Sequence, residues 1–119
     1  MGHLQILEMI SVRVTPDDDP SASGILVDDL LSLPFTLERE WSGNQGYYFE
    51  HFTITMGDRE VYRSVPQQIF VRGVQSSTAF RDHIDERIPL EPGICHMVFH
   101  IDDAPMVNVE LQVKALAPA

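Results

Sequence analysis

The chain has 119 residues, the length of one domain, and 44% of them are hydrophobic, so a folded core rather than disorder is expected. Eighteen acidic residues against eight basic ones give a net charge of −10, which opposes binding to nucleic-acid phosphates. No apolar run is long enough to span a membrane, and no secretory signal pattern is present. We therefore expect a cytoplasmic protein that has neither a nucleic-acid partner nor a membrane partner.

The first third of the chain alternates between apolar runs and turn formers. Residues 4–14 carry apolar side chains at every second position except Glu8, which predicts a strand. Residues 15–24 consist mainly of Pro, Asp, Ser and Gly, which predicts a loop that we expect to be mobile. Residues 25–33 place leucines at positions 26, 30 and 33 ahead of a proline, and this spacing predicts one short helix.

Strand patterns dominate the middle of the chain. Alternating or β-branched segments predict strands at residues 35–41, 47–56, 59–64 and 67–74. Gly57-Asp58 is typical of a two-residue type II′ hairpin turn. Residues 79–87 fit either a helical turn or a strand, and the pattern leaves both open.

The clearest pattern is a hairpin over residues 88–113. In its first strand Cys95, Met97 and Phe99 share one face, and His96, Val98 and His100 share the other. In its second strand valines and Leu111 alternate with polar residues. Pro-Gly, an alternating strand, an Asp-Asp turn and a final strand together resemble the end of immunoglobulin-like and related sandwiches. The Cys…Trp…Cys spacing of true immunoglobulin domains is missing, because Cys95 is the single cysteine.

These patterns predict a mainly β fold, an antiparallel β-sandwich of the immunoglobulin-like or a related type with one short helix near residues 25–33. Residues 1–119 are expected to form a single domain with a frayed tail at 116–119. The single cysteine excludes an internal disulfide, which again favours a reducing compartment.

Two groups of side chains are candidate metal ligands. His100 and Asp102 have the spacing of two that ligands on one strand face need, whereas His96 and His100 lie about 13 Å apart in a strand. Asp17, Asp18 and Asp19 cluster in the loop, where carboxylates can bind Ca²⁺. Aspartate is also common in turns because its side chain bonds the local backbone. We predict no bound metal or cofactor.

Catalytic signatures are weak. Cys95 and His96 are adjacent, so in a strand they point to opposite faces and cannot form a nucleophile–base pair. The sequence contains neither a Gly-x-Ser-x-Gly elbow nor a phosphate-binding glycine loop. We therefore predict that the chain is not an enzyme.

Aromatic residues surround a glycine-bearing turn at residues 42–46. Trp41, Tyr47 and Tyr48 would form a stacking platform for a sugar or an anchor for a protein if they were exposed. The alternative places Trp41 over the core with the tyrosines at its rim.

Three hypotheses about function follow in order of preference. The first is a non-catalytic protein-interaction or assembly module that binds a protein partner or itself as a homodimer. The second is a small acidic inhibitor or immunity-type protein that covers a basic site on its target. The third is a metal-dependent enzyme or a calcium-dependent binding domain.

Overall fold

A computed structural model describes residues 7–116, which form ten β-strands and, within that range, no helix. The strands are β1 Leu7–Pro16, β2 Ile25–Asp28, β3 Leu31–Ser32, β4 Phe35–Gly43, β5 Gly46–Met56, β6 Arg59–Arg63, β7 Gln67–Val71, β8 Thr78–Ile84, β9 Gly93–Ile101 and β10 Ala104–Ala115. The smaller sheet has the order β1-β4-β8. The larger sheet has the order β3-β2-β10-β9-β5-β6, and β7 also pairs with β5.

The hydrophobic core lies between the two sheets, and alternation along each strand decides which residues enter it. Cys95, Met97 and Phe99 of β9 are fully buried, while their neighbours in the sequence are more exposed. Trp41 of the smaller sheet packs edge-on against Phe99 of the larger sheet, with ring centroids 6.4 Å apart. The prediction of a mainly β sandwich is confirmed.

The predicted C-terminal hairpin is β9 and β10, which pair in antiparallel fashion. Ile101 pairs with Ala104, so the turn consists of Asp102 and Asp103, and both have positive φ (50° and 68°) as a type I′ turn requires. One departure from a purely antiparallel sheet occurs here, because β10 pairs in parallel with β2.

The predicted helix at residues 25–33 is wrong, because this segment forms the hairpin of β2 and β3. Ile25 and Val27 are buried and alternate with more exposed residues, which is the period of a strand. Asp29 and Leu30 form the turn with φ values of 55° and 60°. The leucine spacing was misleading because Leu30 is an exposed turn residue rather than part of an apolar helix face.

The loop at residues 15–24 is bonded to the sandwich near both of its ends. Strand β1 continues to Pro16, and the Asp17 amide donates to the Pro34 carbonyl at 3.0 Å. The Gly24 amide donates a hydrogen bond to the Val14 carbonyl at 2.9 Å. This bond holds the start of β2 next to β1.

The remaining expectations concern strand ends. Residues 4–6 of the first predicted strand and 117–119 of the predicted frayed tail lie outside the described residues, whereas the Leu116 amide donates to the Val27 carbonyl at 2.8 Å. The ambiguous segment at 79–87 contributes most of strand β8. Within residues 7–116, no helix is long and apolar enough to cross a membrane.

Candidate interaction surface

Strand β5 presents its even-numbered residues to the core and its odd-numbered residues to the outer face of the larger sheet. Tyr48 and Glu50 are therefore buried, while Tyr47 and Phe49 point away from the core. Phe70 of β7 is the cross-strand partner of Tyr47, so it lies on the same outer face. We call Tyr47, Phe49 and Phe70 the aromatic face.

The aromatic face is unusually accessible for such large side chains. Tyr47 is 68% exposed, Phe49 is 55% exposed and Phe70 is 38% exposed. The rings of Tyr47 and Phe70 are in contact, with centroids 4.9 Å apart and planes inclined at 53°. Exposed apolar side chains that are contiguous, unlike scattered single ones, mark interaction sites.

The Asp102-Asp103 turn is attached to the aromatic face through the backbone of Phe49. The Phe49 amide donates to the Asp102 carboxylate (Oδ1) at 2.9 Å, and the Asp102 amide donates to the Phe49 carbonyl at 2.8 Å. Asp102 thus extends the pairing of β5 beyond the end of β9 and brings its carboxylate to the rim of the aromatic face. One carboxylate oxygen of Asp102 is occupied by this bond.

Two histidines continue the row of outward-facing side chains along β5. His51 and His100 are cross-strand partners, and their rings stack with centroids 4.4 Å apart and planes only 8° from parallel. The Arg63 guanidinium (Nη1) lies 3.2 Å from His51 Nε2. Because a guanidinium can only donate, His51 Nε2 must accept, which assigns His51 to the neutral tautomer protonated at Nδ1.

The surroundings of His100 favour its neutral form as well. Burial lowers the pKa of His100, and the neighbouring His51 and the positive charge of Arg63 lower it further. The carboxylates of Glu60 and Asp103 act in the opposite direction and are outweighed. His100 Nε2 is buried and has no hydrogen-bond partner among the described residues.

The lowered pKa of His100 predicts a loss of stability on acidification. A histidine whose pKa is lowered by folding binds its proton more readily in the unfolded chain. The lowered pKa of His100 therefore does not affect stability above the ordinary pKa of 6.5. Below that value the unfolded chain binds the proton more readily, so the free energy of unfolding falls as the pH drops. We expect His100→Asn to flatten this fall when urea unfolding is measured from about pH 7 to about pH 5.

His83 supplies the control for this measurement because its pKa moves in the opposite direction. A hydrogen bond from His83 Nε2 to Asp17 Oδ2, 2.5 Å away, raises the pKa of this exposed histidine. Its stabilising contribution is complete below pH 6.5 and is lost as the pH rises through the raised pKa. His83→Asn should therefore steepen the acid loss, and equal slopes for the two variants would contradict both assignments.

The candidate metal ligands are separated in the structure. Asp17 is bonded to His83 and to the Thr36 hydroxyl, while Asp18 and Asp19 are exposed in the loop. His100 stacks on His51, and Asp102 is bonded to the backbone of Phe49. Within residues 7–116, no group of three or more His, Cys, Asp or Glu side chains is arranged to hold a metal ion.

Of the three aromatic candidates, the structure leaves only Tyr47 at the surface. Trp41 is fully buried and Tyr48 is 2% exposed, with its hydroxyl donating to the Asn44 carbonyl. Cys95 is also buried, and burial raises the pKa of its thiol to about 11, so it remains protonated and unreactive at neutral pH. Phe49 and Phe70 were not predicted as interaction residues. The alternation of their strands could have indicated that they point away from the core.

Trp41 lies on the buried face of β4 and belongs to a polar network inside the core. Glu50 accepts hydrogen bonds from Trp41 Nε1 at 2.8 Å and from Arg39 Nε at 3.1 Å, and Arg39 Nη2 forms an ion pair with its other oxygen. Arg39 Nη1 lies 2.6 Å from Asp82 Oδ2. Burial acts to lower the pKa of Arg39, but Glu50 and Asp82 outweigh it and raise the pKa, so the guanidinium is charged.

Comparison with known proteins identifies structures with a similar fold but no family. No family model matches the chain, and no curated protein matches it. Among solved structures, the chain is similar to part of a β-glucosidase from Listeria innocua in complex with isofagomine, with a TM-score of 0.58 and 9% identity. It is also similar to part of the Pseudomonas fluorescens alkylpurine DNA glycosylase AlkC bound to DNA containing an abasic site analog, with a TM-score of 0.61 and 11% identity.

The coverage of these matches is one-sided. They include 93% and 92% of this chain but only 16% of the β-glucosidase chain and 30% of the DNA glycosylase chain. At such identities the likeness establishes a shared fold and nothing about activity. In both proteins this fold is therefore one part of a longer chain.

Proposed function

We propose that this chain is a non-catalytic protein-interaction module that binds a basic partner protein through the aromatic face. The observation that carries the proposal is the contiguous exposure of Tyr47, Phe49 and Phe70 on one sheet face. Aromatic rings supply large contact areas with little loss of side-chain entropy and are enriched among the residues that dominate interface energies.

The charge of the chain supports a basic partner. The net charge is −10, and the carboxylate of Asp102 lies at the rim of the aromatic face, with Asp103 next to it in the turn. Arginine and lysine side chains stack over aromatic rings, and the adjacent carboxylates add electrostatic attraction. A partner segment that presents such side chains therefore matches both the rings and their rim.

The hypothesis of an acidic inhibitor has less support because the exposed carboxylates are spread over the molecule. Glu38 lies on the smaller sheet and Glu60 on the larger one, and Asp29, Asp58 and Asp103 lie at three separate turns. A dedicated acidic surface would concentrate these charges on one side. The aromatic face is the more distinctive feature.

Replacing Phe49 with serine tests the proposal. A short peptide that alternates arginine and threonine serves as the probe, with a glutamate-for-arginine peptide as its counterpart. We expect Phe49→Ser to weaken binding of the arginine peptide about tenfold in fluorescence anisotropy, the usual loss for a central aromatic contact. The glutamate peptide should not bind.

The matched control removes a similar exposed side chain from the same sheet face at a different place. Ile94 of β9 is 47% exposed and lies away from the aromatic residues, so Ile94→Ser should leave peptide binding unchanged. Equal losses for the two variants, or no binding of the arginine peptide to the unaltered chain, would refute the proposal.

A further inference from the structure

The edges of the two sheets differ in how they are protected. A strand at an edge exposes unpaired backbone N–H and C=O groups, and natural proteins blunt such edges with charges, prolines, bulges or short strands. Within residues 7–116, most edges carry such a device. Charged residues lie in β1, β8 and β6, β1 also has a register shift, and β3 is only two residues long. Where β10 extends beyond β2, its edge carries Pro105 and Glu110; the charged residues of the other edges are Glu8, Arg13, Arg81, Asp82, Arg59, Glu60 and Arg63.

The five residues of strand β7 carry no such device themselves. Its sequence, Gln-Gln-Ile-Phe-Val, has no charge and no proline, and its pairing with β5 runs over all five residues without a register shift. Among the described strands it pairs with β5 alone, so its other edge is open. Pro66 and Arg72 directly adjoin the strand, and beyond them Val65 is 85% exposed and Val74 is 69% exposed.

We propose that the open edge of β7 pairs in antiparallel fashion with β7 of a second copy of this chain, which joins the two larger sheets into one. A two-fold axis makes such an interface isologous, because the same strand supplies both sides. The neutral charge of β7 selects this occupant, since two copies with a net charge of −10 can meet there without apposing like charges.

The register of the pairing follows from the faces of the strand. Directly opposed residues must point to the same face of the joined sheet. Ile69 is buried against the core and Phe70 points outward, so an axis between them would oppose residues from different faces. An axis through Ile69 avoids this and pairs all five residues, with Gln68 of one copy opposite Phe70 of the other.

This dimer goes beyond the proposed function because it uses the edge of the sheet rather than its face. The two-fold axis is perpendicular to the joined sheet, so the two aromatic faces lie on the same side of it. Dimerisation would place two docking surfaces next to each other and raise the affinity for a partner that presents two basic segments.

Salt separates this inference from the proposed function. Both copies are strongly acidic, so added salt screens their long-range repulsion and should tighten the dimer. Binding of a basic peptide to an acidic face should weaken under the same conditions. The two activities therefore respond to ionic strength with opposite signs and can fail independently.

The test is the solution mass of the full chain, measured by sedimentation and light scattering over a wide range of concentrations. We expect the unaltered chain to reach twice 13.5 kDa at high concentration and high salt, and Gln68→Lys to stay at 13.5 kDa, because lysine blocks strand edges. Gln112→Lys, on the exposed face of β10, is the control and should dimerise normally.

A second pair of variants tests the register and shows that Gln68→Lys has not merely unfolded the chain. Because Gln68 opposes Phe70 across the axis, a mixture of Gln68→Lys and Phe70→Glu chains should form a mixed dimer through the new ion pair. A monomeric unaltered chain at every concentration, or dimerisation of Gln68→Lys alone, would overturn the inference, and failure of the mixture would overturn the register. An unaltered chain that stays monomeric but binds the arginine peptide would leave the proposed function standing.

Discussion

Replacing Glu50 with alanine is expected to lower the free energy of unfolding by about 3 kcal/mol, the lower end of the usual cost of breaking a buried ion pair, because Asp82 still faces Arg39. Arg39 and Glu50 are each 2% exposed, so water cannot replace the missing carboxylate. The variant also removes the acceptor of Trp41 Nε1. Urea denaturation followed by tryptophan fluorescence measures the effect directly, because Trp41 is the single tryptophan.

Two further variants show that this loss arises from burial. Glu60→Ala removes an ion pair with Arg63 at the surface, where the Glu60 side chain is 44% exposed and the Arg63 side chain is 56% exposed. This variant should lower the free energy of unfolding by less than about 1 kcal/mol. The double variant Arg39→Met with Glu50→Leu removes both charges together and should recover much of the stability lost in Glu50→Ala. A loss in Glu60→Ala as large as that in Glu50→Ala would contradict this explanation.

Gly24→Ala is the second substitution with a large expected effect, a loss of about 2–4 kcal/mol from backbone strain and overlap combined. Gly24 has a φ of +112°, which side chains rarely tolerate, and a Cβ there would lie 2.3 Å from the carbonyl oxygen of Gln112. That oxygen belongs to the backbone of β10, and Gly24 directly precedes β2. Relief of the overlap would therefore require β2 and β10 to move apart.

Gly93→Ala separates the two contributions to this effect. Gly93 has a similar φ of +139°, but no atom lies within 4 Å of the position that its Cβ would occupy. Gly93→Ala should therefore show the conformational cost alone, about 1–2 kcal/mol. If thermal melts show the same loss for both variants, the close approach of Gly24 to β10 contributes nothing to stability.

Strand periodicity made most of the sandwich predictable from the sequence. The alternation of Cys95, Met97 and Phe99, and the Asp102-Asp103 turn between two alternating runs, correspond directly to β9 and β10. The segment at 25–33 failed because strands β2 and β3 are only four and two residues long, too short for their period to stand out against three leucines at helical spacing.

The candidate surface was only partly predictable, because exposure depends on which face of a strand meets the second sheet. Tyr47 and Tyr48 are adjacent in the chain, yet one is exposed and the other is buried. The pairing of Arg39 with Glu50 was not predictable at all, since it depends on how β4 and β5 cross between sheets. Local patterns describe single strands, whereas both features arise from the packing of two sheets.

The position of β10 within the larger sheet has a consequence for how the molecule forms. This strand is the last of the ten in the chain, yet it lies inside the larger sheet, between β2 from the first third of the sequence and β9. During synthesis β2 therefore cannot pair with β10 until nearly all of the described residues have been made. Such long-range pairing slows folding and leaves sheet edges exposed to other chains in the meantime.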